Sequence, residues 1–251
     1  FQQQRVVRVF EDAPVSLLED VLEVLARGAS GRVALAHVAE PARELREAFR
    51  VARLAMPLDR KVRGLGEGGA RGHAAQGHAL ELASGTGQHA VFFSAGMPWL
   101  RWQATERRES LGGLRARLDA EGGDRLPAPL ELDVDQRDWP MPAVATGWDA
   151  AFSANTLHIM SAPQVEAFFA GLGAVLQPDA RLAIYGPFTY DGAFTSDSNA
   201  AFDAMLRARD PDSGLRDVAW IDRLAKARSL RLLADHAMPA HNRLRVWQRE
   251  A

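Results

Sequence analysis

Cysteine is missing altogether from the 251 residues, which excludes disulfides, thiolate nucleophiles and Cys-ligated metals. Lysine is nearly missing. Only Lys61 and Lys226 occur, so 28 of the 30 basic residues are arginine, a bias that carries no functional weight. An excess of one charge is missing too: the formal net charge is −2, which argues against a nucleic-acid or membrane-surface binder. No apolar run approaches the roughly 18 residues of a membrane helix. The seven histidines include no H-x-H or H-E-x-x-H spacing, so no catalytic metal is expected. Phe1–Phe10 alternates valine with arginine, unlike the basic-then-apolar order of a signal peptide. Together these absences lead us to expect a soluble, cytoplasmic protein.

What is present is an ordinary globular composition, 47% hydrophobic and 25% charged, with length for one α/β domain and an appendage. Residues 1–62 read as a β-α-β-α appendage of unassigned role. Its strands are Arg5–Phe10 and Gly31–His37, and its helices Val15–Arg27 and Pro41–Leu54. Residues 63–77, rich in glycine and arginine and without periodicity, read as a linker. From 78 to 251 the pattern predicts strands at Ala79–Ala83, Leu100–Thr105, Pro129–Val134, Asp149–Ala154, Arg181–Tyr185, Arg231–Asp235 and Arg243–Gln248. Helices alternate with them at Gly87–Ala95, Ser110–Ala120, Pro163–Leu176, Asn199–Arg209 and Asp217–Ala227. Such alternation implies a mostly parallel sheet covered on both faces. Only Ala237–Asn242 separates the last two strands, too little for a crossover helix, so they should form an antiparallel hairpin. The expected fold is α/β, a Rossmann-like seven-stranded sheet.

The chemistry starts at the turn after the first of these strands. Ala79–Ala83 runs into Ser84-Gly85-Thr86-Gly87, and a helix follows. Glycines let the backbone turn tightly and approach a ligand, while the helix offers unpaired N–H groups. Gly85, Gly87 and Ala90 also satisfy the G-x-G-x-x-A fingerprint of dinucleotide enzymes. Three acids accompany the turn. Glu81 is a carboxylate in an apolar strand and needs a partner. Glu106 follows Gly87 by 19 residues, suited to accept ribose hydroxyls, although beside Arg107 and Arg108 it also reads as a solvated surface residue. Asp133 closes the third strand, or caps the turn after it.

From Leu80 onward the chain resembles the methyltransferase-like protein 26 family of class I S-adenosylmethionine (SAM)-dependent methyltransferases. The shared stretches are LELASGTGQHAVFF (80–93), RWQ (101–103), LDV (132–134), NTLHI (155–159), YGPF (185–188), SNAAFDAMLRARDPDSGLRD (198–217) and MPAHN (238–242). The resemblance implies the seven-stranded methyltransferase fold and SAM as cofactor. Glu81 would then meet the donor's methionine part, Glu106 its ribose and Asp133 its adenine amino group, with Ala83, Ser84, Gly85, Gly87, Val134 and Ala154 completing the site. The family usually has Asp where this chain has Glu106, and its opening segment resembling AERN has no counterpart in residues 1–77.

Methyl transfer is an in-line displacement, so the protein must align the partners, exclude water and remove a proton where the acceptor requires it. Asn155 and His158 follow strand four, and Tyr185 ends strand five, at the sheet edge where ligands bind in such folds. The imidazole suits a general base; it equally suits a structural hydrogen bond. Residues 186–216 form an insertion that reads as a lid, with Tyr190 in it. Asn199, Asp203 and Arg207 share one helix face, read as substrate recognition or as an internal Asp203–Arg207 ion pair. Asn242 in the final turn points to the same cleft. The favoured function is methyl transfer to O, N or S of a small molecule. Transfer to RNA or protein, nicotinamide-dependent oxidoreduction and non-catalytic cofactor binding are the alternatives. Oligomeric state is not legible in the sequence.

Overall fold

The computed structural model describes residues 77–97, 99–123, 126–142 and 147–251. The expected elements of the appendage, and the expected linker up to 76, lie outside the described residues.

Strand β1 (Gly77–Leu82) opens the sheet and begins at the last residue of the expected linker. It is followed by α1 (Gln88–Gly96), β2 (Leu100–Glu106), α2 (Arg108–Glu121) and β3 (Leu130–Glu131). Then come β4 (Trp148–Ala154), a single 3-10 turn at Leu157–Ile159, α3 (Ala162–Val175) and β5 (Leu176–Gly186). The insertion holds β6 (Phe188–Tyr190), β7 (Ala193–Phe194), α4 (Asp197–Arg209) and β8 (Arg216–Asp217). The chain closes with α5 (Val218–Lys226), β9 (Leu230–Ala237) and β10 (Arg243–Arg249).

Seven strands form one sheet in the order β3-β2-β1-β4-β5-β10-β9. The first five run parallel, and β10 is antiparallel to both β5 and β9. This is the expected architecture, hairpin included. The order reverses beside β1, and in open α/β sheets that switch point is where ligands bind. Strand β3 is shorter than its expected Pro129–Val134, because Pro129 has no N–H to give and Asp133 bends into a turn, its Oδ1 accepting from Asp135 N at 3.1 Å.

Both sheet faces are covered, so β1 and β4 are almost continuously buried. One face carries Leu80, Leu82, Leu182, Ile184 and Trp247, packed on Phe168, Phe169 and Leu172 of α3 and Ile221 of α5. Helix α3 starts sharply because Ser161 and Gln164 form a reciprocal capping box. The opposite face carries an aromatic cluster: Phe93 of α1 lies 5.2 Å from Trp102 of β2 and 4.9 Å from Phe152 of β4, centroid to centroid, both edge-on. No helix among the described residues is long and apolar enough to cross a membrane.

The insertion builds a second, three-stranded sheet in the order β7-β6-β8. Phe188 and Tyr190 of β6 hold it to the main sheet, the Tyr190 hydroxyl donating to Asp235 of β9 at 2.7 Å and Phe188 lying under a guanidinium. Arg245 of β10, 2% exposed, pairs with Asp222 of α5 at 2.9 Å and with Asp235 of β9 at 3.1 Å. Its guanidinium also stacks on Phe188 and Trp247.

Candidate functional site

Three alternate residues of the first turn enter the left-handed region, with φ of 53° at Ala83, 56° at Gly85 and 81° at Gly87. Glycine adopts that backbone freely, and alanine only under strain. The two glycines are there for different reasons. A methyl on Gly87 would meet Leu114 Cδ1 at 2.8 Å and Leu118 Cδ2 at 3.2 Å, so Gly87 lets α2 pack on the turn. A methyl on Gly85 would meet nothing within 4 Å. Space beside an exposed backbone is what a closely approaching ligand needs. Ser84 keeps the turn on the sheet: its N–H donates to Thr105 O at 2.9 Å, and its Oγ accepts from Thr105 N at 3.1 Å.

The Glu106 carboxylate stands beside this turn. Its Oε2 accepts from Gly85 N at 2.7 Å and its Oε1 from Arg107 N at 2.9 Å, and the residue is 8% exposed. It is therefore no solvated surface group. A carboxylate has about four acceptor positions, and these two bonds use one on each oxygen. The remainder match the two hydroxyls of a ribose.

Glu81 finds the partner its strand demanded. Trp102 Nε1 donates to its Oε2 at 2.5 Å. With Glu81 2% exposed, burial pushes its carboxyl up to about 8, against the bonds from Trp102 and Ser84 and with help from the Glu106 charge. Trp102 lies in the shared stretch RWQ (101–103), but that stretch assigns it no role. The signal is strand parity: Glu81 registers with Ala104, which puts Trp102, two residues back, on the same face.

Asp133 lies at the third strand end, half-buried, its Oδ2 3.5 Å from Arg107 Nε. Val134 packs on the edge of the core, and Ala154 ends β4. The residues expected to hold the cofactor thus gather along the carboxyl ends of β1 to β4.

On the other side of the switch point, Asn155, Tyr185 and Asn242 come together. Asn155 is exposed at φ 55° and its N–H donates to Tyr185 O at 2.8 Å. Asn242 Nδ2 donates to Tyr185 Oη at 2.9 Å. His158 lies in the 3-10 turn Leu157–Ile159 that follows β4. It is buried, its ring edge-on to Phe202 of α4 at 5.1 Å. Burial, then the nearby Arg216 charge, lowers its pKa to about 4. Such an imidazole is neutral at pH 7 but weakly basic, which favours the structural reading of His158.

On the polar face of α4, Asn199 and Asp203 are buried, while Arg207 is exposed. Asn199 Nδ2 donates to Thr195 Oγ1 at 2.8 Å and to His241 O at 3.3 Å. Asp203 accepts from Leu215 N at 2.7 Å and pairs with Arg207 at 2.8 Å, the internal ion pair that the spacing also allowed. Tyr190 is a strut: its hydroxyl donates to Asp235 at 2.7 Å under the Arg243 guanidinium. Burial, then that bond, pushes its pKa up to about 12. These side chains are committed to the protein itself, so the face expected to recognise an acceptor instead fastens the insertion down.

Solved structures share this fold. Mitomycin 7-O-methyltransferase MmcR aligns at a TM-score of 0.62 and 20% identity over 86% of this chain and 60% of its own. An O-methyltransferase family protein from Burkholderia thailandensis gives 0.61 and 16% over 82% and 57%. Human N-acetylserotonin methyltransferase in complex with SAM gives 0.59 and 10% over 69% and 48%. The chain spans about half to three fifths of the length of these proteins, and at such identities the likeness is one of fold. The family is read from the sequence profile: residues 70–249 match the model of DUF938, described as a protein of unknown function, and the chain belongs to that family.

Proposed function

We propose that the protein is a SAM-dependent methyltransferase acting on O, N or S of a small molecule, the finer likeness to the methyltransferase-like protein 26 family being part of that reading. One observation carries it: a buried carboxylate, Glu106, hydrogen-bonded to the amide of Gly85, at a turn where a ligand can reach the backbone. The residues fit the donor. Glu106 offers acceptors to a ribose, Glu81 a carboxylate to an ammonium, and the antiparallel β10 matches the methyltransferase-like neighbours. When bound, SAM supplies a methyl group already activated on a sulfonium. Asn155, Tyr185 and Asn242 orient the acceptor, and α4 covers the cleft as part of the lid.

Calorimetry tests the reading. S-adenosylhomocysteine should bind, and NADH and NADPH should not bind comparably. A charge-assisted hydrogen-bond pair is worth roughly 1.5–3 kcal/mol, so Glu106→Ala should weaken that binding about 10- to 150-fold. A preference for NADH, or unchanged affinity in a folded Glu106→Ala, overturns the proposal.

A further inference from the structure

Beneath the glycine turn lies a buried aromatic layer. Trp102 is 0% exposed and wedged among rings, with Phe93 at 5.2 Å and Phe152 at 6.0 Å between centroids. His89 of α1 closes the cluster against Phe93 at 5.7 Å and Phe152 at 5.5 Å. A ring so confined holds its one donor, the indole N–H, in a fixed direction. That donor meets Glu81 Oε2. We infer that Trp102 is a positioning residue of the donor site, its indole N–H fixing the Glu81 carboxylate at the root of the glycine turn for the ammonium group of the bound methyl donor. The inference rests on the proposed function and adds to it a residue that acts only through another.

Its consequence follows from what surrounds Glu81. Ser84 of the turn also bonds the carboxylate, Glu106 at the end of β2 repels it, and Phe152 of β4 is its register partner. The nearest ionisable group on α1 is His89, which burial keeps neutral by lowering its pKa to about 4. Of these neighbours, only Trp102 and Ser84 favour the ionised form by donating to it. An ammonium ligand needs Glu81 ionised, so binding at neutral pH must expel its proton. Losing the Trp102 donor makes that expulsion harder below the carboxyl's pKa and costs nothing well above it.

The experiment compares wild type, Trp102→Phe, Glu81→Gln and the double variant by calorimetric titration with S-adenosylhomocysteine from pH 6 to 9, in buffers of different ionisation enthalpy. The ligand's own titration cancels in affinity ratios between variants. Trp102→Phe should bind about tenfold more weakly than wild type at pH 7, for a loss of roughly one pKa unit of ionised-state stabilisation. The gap should close to about twofold at pH 9. Wild type should release close to one proton at pH 7, and Glu81→Gln none. In the Glu81→Gln background the Trp102→Phe effect should lose its pH dependence. A gap constant across pH assigns Trp102 to packing alone and overturns the inference. If Trp102→Phe does not fold, the proton count decides: no proton released by wild type at pH 7 also overturns it. Failure of wild type to bind S-adenosylhomocysteine at all is a different result, and sinks the proposed function instead.

Discussion

Gly85 and Gly87 are two residues apart and share a left-handed backbone, with φ of 56° and 81°, yet they answer to different demands. An alanine at either position takes on strain of about 1–2 kcal/mol. At Gly87 the new methyl also collides with Leu114 and Leu118 of α2, and overpacking adds typically about 1–3 kcal/mol. At Gly85 it meets open space and intrudes only on a ligand. Gly87→Ala should therefore lose about twice the stability that Gly85→Ala loses in urea denaturation. Gly85→Ala should lose S-adenosylhomocysteine affinity disproportionately to its small loss of stability. If both variants fall equally in both measurements, the division of labour drawn from the turn is wrong.

At the scale of the element, α4 and its flanking strands depend on a few buried bonds. Asp203 accepts from the buried Leu215 N–H at 2.7 Å. Asp203→Ala orphans that donor at a cost of about 1–3 kcal/mol. Arg207→Ala, with the side chain 51% exposed, should cost at most about 1 kcal/mol. Hydrogen exchange in Asp203→Ala should show lost protection across 196–216 and unchanged protection in β1 and β4; loss spread through the main sheet would mean that the insertion does not open as a unit. This element also marks where reading the sequence stops. The seven strands of the main sheet, the closing hairpin and the glycine turn announce themselves through local alternation and a short connection, and each has its counterpart in the structure. Strand β3 is shorter and β5 longer than expected, and the strands of the insertion are not announced at all. The spacing of Asn199, Asp203 and Arg207 correctly gave one helix face. Which way that face turns is set by Leu215 N and His241 O, the latter 42 residues along the chain, and no local pattern encodes it. Glu81 was legible as a carboxylate in need of a partner but Trp102 was not legible as that partner, and His158 was legible as a residue type without its surroundings.

At the scale of the whole molecule, three groups among the described residues set how stability varies with pH. His89 and His158 fall from 6.5 to about 4 on folding, while Glu81 rises from 4.5 to about 8. Between pH 4.5 and 6.5 the unfolded chain protonates both histidines and ionises Glu81, whereas the folded chain keeps both histidines neutral and Glu81 protonated. The unfolded state then binds two of these protons and the folded state one, so stability rises with pH. Between 6.5 and 8 the unfolded state binds none of them and the folded state still binds one, so stability falls. Above about 8 the Glu81 contribution is flat. With about 1.4 kcal/mol per proton per pH unit, each limb amounts to roughly 2 kcal/mol and the maximum lies close to pH 6.5. Urea denaturation of the unliganded protein in steps from pH 4.5 to 9 reads this profile directly. Glu81→Gln should abolish the alkaline limb and make the acid one about twice as steep, two protons against none instead of two against one, and removing either histidine should flatten the acid limb and leave the alkaline one. A wild-type stability that climbs without interruption through pH 8 would mean that Glu81 is already ionised in its burial beside Trp102, and that no proton is held there for a ligand to displace.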